Sequence, residues 1–447
     1  MCKNVVKKHG IFCPAAGESG FHRVKCPVVT RVIEGITIIT MKRTSLLLIS
    51  IAYLAFICLG LPDGLPGVAW PALRTTFMRP LSDLGILLAV FTIGFIFTSF
   101  NAGRLVTRLG VGGVLFGSSL LLTAGLFGYA LAPAWWTVVA MSLLLGMGSG
   151  TIDAGINAYA AAHFTRRHMN WLHACYGLGA ALGPLALTFV LSRDQSWRWG
   201  YALVGLVLSG MVICFGITRR RWQDGQMKNQ TDVQTADTAG QQLSATPAVS
   251  MGATLRRPLV WLGIAIFFIY TGLEVTAGQW SYSLFIEERA VVPDVAGVWI
   301  SIYWGSLTVG RLLFGLIAER FGTTALLRGS MGGILVGVLL LWLNPLPLLS
   351  FLGLALIGFM LAPIFPLLIA QTPARLGAAY ATHAIGFQVA AANVGAAGLP
   401  GLAGVLARGS GLEILGPFML LLALLLLVLH EVSVNAQAAA ATPASTT

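Results

Sequence analysis

The sequence predicts an all-α membrane protein of twelve transmembrane helices in two pseudo-symmetric halves of six. Three observations carry this expectation. Apolar residues make up 56% of the 447 residues and charged residues only 10%, where a soluble domain carries roughly 25% charge. A chain this long lacks the polar side chains to cover itself in water. Apolar runs of about 20 residues, the length that crosses a hydrocarbon core, recur along it. A polar segment then divides those runs into two nearly equal sets.

The first set of helices is expected near 44–67, 83–102, 110–131, 135–161, 169–192 and 197–218, and the second near 259–285, 295–315, 323–343, 347–370, 378–407 and 411–430. The dividing segment, 219–258, opens on Arg219, Arg220 and Arg221, continues in Gln, Thr, Asp, Ala and Ser, and closes on Arg256 and Arg257. It has no apolar periodicity and reads as a flexible cytoplasmic linker between an N-terminal bundle (41–218) and a C-terminal bundle (259–430). The Ala/Thr/Ser-rich tail 431–447 is expected to be disordered. Residues 1–40 lack the apolar core of a signal peptide. "MKRTSLLLIS" at Met41 reads as a natural membrane-protein start, so 1–40 is expected to be an extension from a mispredicted start.

A net charge of +12 would suggest nucleic acid in a soluble protein. Here Lys and Arg fall between apolar runs and act as topology signals. An even number of spans puts both termini and the linker on one side. That side's loops hold fifteen Lys and Arg, from Lys42 and Arg43 to Arg375, against six on the other. The bias places both termini in the cytoplasm, in a multi-pass protein of the cell membrane whose surroundings are lipid and not nucleic acid. Cys58, Cys175 and Cys214 lie within apolar runs. Cys2, Cys13 and Cys26, with His9 and His22, show neither CxxC nor HxxxH, so no metal is expected. No GxxxxGK[ST], GxSxG or HExxH occurs. The sequence therefore predicts no cofactor, no ATP-driven step and no enzyme.

Two loops match between the halves. Gly103-Arg104-Leu105-Val106-Thr107-Arg108-Leu109-Gly110 follows the second helix, and Gly315-Leu316-Ile317-Ala318-Glu319-Arg320-Phe321-Gly322 follows the eighth. Glycine permits a tight turn and close helix approach, and the charges can hold one conformation closed. In these loops, the twelve spans and the central linker, the chain resembles the major facilitator superfamily over roughly 44–430. That family carries Gly-x-x-x-Asp-Arg-x-Gly after its second helix and a degenerate copy after its eighth. Thr107 stands where the family has Asp, while Glu319 keeps an acid in the second loop.

Acids inside spans cost about 2.5–3.5 kcal/mol at mid-helix and usually face a cavity or a partner. Asp63 sits among Pro62, Gly64, Pro66 and Gly67, which either break the first helix around a ligand site or mark an outer loop. Asp153 has Asn157 at i+4 on the same helical face, as a hydroxyl-binding pair or as glue between helices. Glu274 precedes Gln279 and Trp280. Acid, amide and indole suit a sugar, or else mark an interfacial helix end. His173 and His383 occupy matching places in the fifth and eleventh helices, as proton carriers or satisfied structural groups. Gln388 and Asn393 are five apart, about 140° around a helix. They share one cavity only if the helix breaks or the cavity is wide.

These stretches resemble the fucose–proton symporter branch and its sugar-transporting relatives. The resemblance covers Asp63, Asp153, Glu274, Gln388 and Asn393; with the residue chemistry above, the expectation is proton coupling at Asp63, Asp153 and Glu274, and substrate binding by Asn157, Gln279, Trp280, Gln388 and Asn393. The gate loops are Gly103, Arg104, Thr107, Arg108 and Gly110, with Gly315, Glu319, Arg320 and Gly322. The branch has Glu where Asp153 stands. The implied activity is proton-coupled uptake of a sugar or polyol by alternating access, in a monomer whose partners are a small solute and H⁺. The alternative on the same fold is a proton-antiporting exporter of drugs or metabolites.

Overall fold

The computed structural model describes residues 46–164, 166–222, 249–317 and 320–441. The chain divides into two units at Leu47/Leu48, and the architecture below belongs to the second. Among the described residues, eleven helices are long and apolar enough to cross a membrane. One of them, Leu81–Leu131, has 51 residues and leaves helical geometry at Gly110 (φ 70, ψ 161). Positive φ is cheap only for glycine. The turn of the first matching loop thus cuts this helix into the second and third spans, giving twelve.

The other spans are the first (Leu46–Thr76), seventh (Pro258–Glu288) and tenth (Pro347–Leu376); the fourth (Trp135–His163), fifth (Arg166–Leu191) and sixth (Trp197–Thr218); and the eighth (Pro293–Ile317), ninth (Thr323–Leu343), eleventh (Ala378–Ser410) and twelfth (Leu415–Ala441). Pro258 and Pro347 open their helices, where a missing N–H costs nothing. The Ser196 side chain caps the sixth span.

Two segments differ from expectation. The twelfth helix runs through 431–441, because it propagates from the apolar span into Ala436 and the run from Ala438, which are strong helix formers. The predicted linker is structured at its two ends. Buried Trp222 donates its indole N–H to Thr218 Oγ1 at 3.1 Å, and Ser250 caps a short helix, Met251–Leu255. Residues 223–248, the extension 1–40 and Glu319 lie outside the described residues.

The halves repeat one packing scheme. Thr98 Oγ1 in the second span donates to Met147 O in the fourth at 3.0 Å. Ser306 Oγ in the eighth donates to Ala355 O in the tenth at 2.8 Å, both partners shifted by the same number of residues. The third span packs on the sixth as the ninth does on the twelfth. Between halves, the fifth lies on the eighth, the second on the eleventh, and the outer part of the first on the seventh. Helices of one lipid-facing body associate through packing and hydrogen bonds, since lipid is as apolar as leucine.

At the ends that the charge bias assigns to the outside, the halves touch. Arg74 pairs with Glu287 across them. Gly85 meets Gly401 so closely that a Cβ at Gly85 would lie 2.7 Å from Gly401 Cα. At the opposite ends, a Cβ at Gly103, Gly315 or Gly322 would meet nothing within 4 Å.

Candidate functional site

The break foreseen in the first helix is real. The helix gives way to a turn at 61–64 and resumes as Leu65–Thr76. Pro62 lacks the N–H that a continuous helix would use, and the turn carries Asp63 into the body of the protein rather than into an outer loop. There it lines a cavity of about 360 Å³ between the halves, within the range of small-molecule sites.

Asp63 accepts a hydrogen bond from the Tyr176 hydroxyl, and its backbone carbonyl accepts one from Gln279 Nε2 at 2.9 Å, across the halves. Asp153 lines the same cavity and accepts from Asn157 Nδ2 at 2.9 Å. Among the described residues, neither Asp63 nor Asp153 pairs with Lys or Arg. Glu274 differs. Arg311 Nη2 lies 3.8 Å from its Oε1, the Tyr270 hydroxyl donates to Oε2, and Tyr303 Oη donates to its backbone carbonyl at 2.7 Å. Glu274 is therefore a charge-paired carboxylate of the C-terminal half, and the two aspartates are cavity acids of the N-terminal half with no such partner among the described residues.

The predicted substrate residues divide. Gln279 and Asn393 line the cavity. Gln279 Oε1 is buried without a partner, and Asn393 Nδ2 bonds its own helix at Val389 O, 2.9 Å away. The other three sit elsewhere. Asn157 is turned onto Asp153 and is not on the cavity wall, since i+4 spacing brings it to its neighbour first. Trp280 is buried, with its indole N–H on Pro400 O at 2.9 Å and its ring against Gly404. It fills the seam between the seventh and eleventh spans and offers no stacking face. Gln388 accepts from Thr372 Oγ1 at 3.0 Å in a separate cavity of about 20 Å³ beside Arg375 and Ser433. The 140° between Gln388 and Asn393 does send them to different places.

Sequence reasoning missed Arg311, Tyr176 and Trp304, all on the cavity wall. Arg311 was detectable: a cation inside an apolar span carries the same insertion cost that singled out the acids. Trp304 lines the cavity where Trp280 does not, with its indole N–H buried and unpartnered among the described residues. His173 also lines the cavity, edge-on to Phe56 at 5.7 Å. Most of the remaining wall is apolar, with Phe91, Phe95, Leu87 and Leu307. In the gate loops, Thr107 Oγ1 bonds Arg104 O at 2.9 Å, so the residue replacing the family's acid caps its own turn. Arg320 donates its backbone N–H to Ile317 O at 2.9 Å.

The architecture has known counterparts. The D-xylose-proton symporter superposes with a TM-score of 0.69 at 14% identity, covering 85% of this chain and 97% of that one. A mutant form of the nucleoside transporter NupG gives 0.69 at 14%, covering 88% and 99%. In sequence, the chain is 24% identical to Bypass of stop codon protein 6 of Saccharomyces cerevisiae, over 80% of this chain and 76% of the relative. It is also 24% identical to the Bacillus subtilis glucose/mannose transporter GlcP, over 70% and 77%. Residues 52–291, more than half of the chain, match the sequence profile of the Major Facilitator Superfamily, and the protein belongs to that family.

Proposed function

We propose that the protein is a secondary active transporter that imports a small polyhydroxylated solute, a sugar or polyol, together with protons by alternating access. One observation carries the coupling: Asp63 and Asp153 face the central cavity with hydrogen-bond donors but, among the described residues, no paired countercharge. Two bare carboxylates in a largely apolar cavity are costly. Protonation removes that cost and changes which conformation is favoured. In this reading the aspartates load protons when the cavity opens outward and release them when it opens inward. Gln279 Oε1 and Asn393 offer hydrogen bonds to hydroxyls, and Trp304 offers the flat apolar face that sugar rings stack on. The contacts at the outer ends and the open surroundings of Gly103 and Gly322 support an inward-facing state. The relative named for glucose and mannose transport supports the cargo class.

The test is uptake of labelled hexoses and polyols by proteoliposomes with an imposed pH gradient. Wild type accumulates cargo, and Asp153→Asn exchanges cargo without accumulating it. Uptake that ignores the gradient, with full activity in Asp153→Asn, would defeat the proton mechanism. A second reading, export of an amphipathic compound by antiport, draws on the Phe91–Phe95 wall. A resistance profile of an overexpressing strain, with no hexose uptake, would favour it.

A further inference from the structure

Arg311 supplies the cavity with a cation whose part in the cycle is open. Its side chain is 28% exposed, and its contact with Glu274, at 3.8 Å, is an ion pair too long for a hydrogen bond. Tyr270 already occupies the other oxygen of that carboxylate. Facing Arg311 are Glu274 and Tyr270 from the seventh span and Tyr176 and His173 from the fifth, while Asp63 and Asp153 line the same cavity. Tyr176 thus stands between the guanidinium of one half and Asp63 of the other, to which it donates its hydroxyl. A guanidinium has five donors; the loose pair with Glu274 and a hydrogen bond with Tyr270 use part of them and leave the rest for another acceptor. A charge within a span needs a partner, so the guanidinium follows whichever acid is ionised.

We propose that Arg311 is the mobile countercharge of the cavity. It rests on Glu274 while the N-terminal aspartates hold their protons. Once they are released it turns its free donors to the Asp63–Tyr176 pair and bridges Asp63 to Glu274, so that neither of these two acids is bare when the empty carrier reorients. Arg311 is then a positioning residue for the return step. This deepens the proton-coupled reading and rests on it.

Gradient-driven accumulation and cargo exchange, measured on the same proteoliposomes, separate the two ideas. Exchange needs no empty return, so Arg311→Gln keeps it and loses accumulation by about tenfold, inside the 5–150-fold range of site coupling. Arg311→Lys, which keeps the charge without the fork, recovers part of the loss. If wild type itself ignores the gradient, the proton-coupled reading falls. If wild type responds and Arg311→Gln keeps its ratio of accumulation to exchange, or loses both equally, the countercharge role alone is overturned. Should Arg311→Gln fail to reach the membrane, Tyr176→Phe removes the docking hydroxyl and shows the same split. An unchanged ratio there overturns the proposal.

Discussion

The contact between Gly85 and Gly401 offers a direct handle on the conformational equilibrium. A Cβ at position 85 would lie 2.7 Å from Gly401 Cα, whereas carbon atoms pack at about 3.5–4.0 Å. Gly85→Val therefore forces the second and eleventh spans apart by about 1 Å at their outer ends. Overpacking of this kind costs about 1–3 kcal/mol. The cost falls only on the state in which the outer ends touch, because alternating access separates them in the other. A differential of that size moves the two-state ratio about 5–150-fold toward the outward-open form. The change in helix propensity is common to both states and cancels. The readout is a single cysteine at Leu88, on the cavity wall, in a cysteine-free background, labelled from outside by a membrane-impermeant maleimide. Gly85→Val raises the labelling rate by that factor. Gly210→Val, whose Cβ meets nothing within 4 Å, leaves it unchanged. Equal labelling in both variants at equal expression would refute the reasoning.

Three further outcomes follow from the contacts described. Arg289, 7% exposed, is held by Glu413 at 2.6 Å, Leu341 O at 2.9 Å and Ser350 Oγ at 2.7 Å. Arg289→Met strands these acceptors and costs about 2–3 kcal/mol, seen as a lower melting temperature in detergent; an unchanged melt would contradict the clamp. Trp280→Phe keeps an aromatic ring but loses the bond to Pro400 O and the indole volume packed on Gly404, so stability drops by about 1–3 kcal/mol with KM for cargo unchanged. Trp304→Leu does the reverse, raising KM about tenfold through the lost aromatic face. If the two variants exchange these phenotypes in uptake kinetics, the stacking assignment is wrong.

Much of this architecture was legible in the sequence because lipid imposes simple rules. Span length and polar interruption gave the twelve helices, and the cost of an acid in hydrocarbon pointed to Asp63, Asp153 and Glu274. The same cost applies to Arg311, but it lies only four residues before Gly315, near the end of its expected span, where a cation can equally snorkel to the interface. Spacing alone could not assign faces. Trp280 follows Glu274 by six residues, about 120° round the helix, and the eleventh span covers it. Asn157 satisfied the i+4 rule so well that its amide went to Asp153. Ala-rich composition serves both disorder and helix; over 431–441 the preceding apolar span supplies the nucleus from which helix propagates, and 442–447 lie outside the described residues.

A pH-sensitive dye in weakly buffered, de-energised vesicles reports most directly on whether cargo and protons move together. Adding cargo outside should alkalinise the external medium as the aspartates carry protons inward, and Asp63→Asn with Asp153→Asn should abolish the signal. Vesicles that equilibrate cargo with no external pH change would contradict coupled entry.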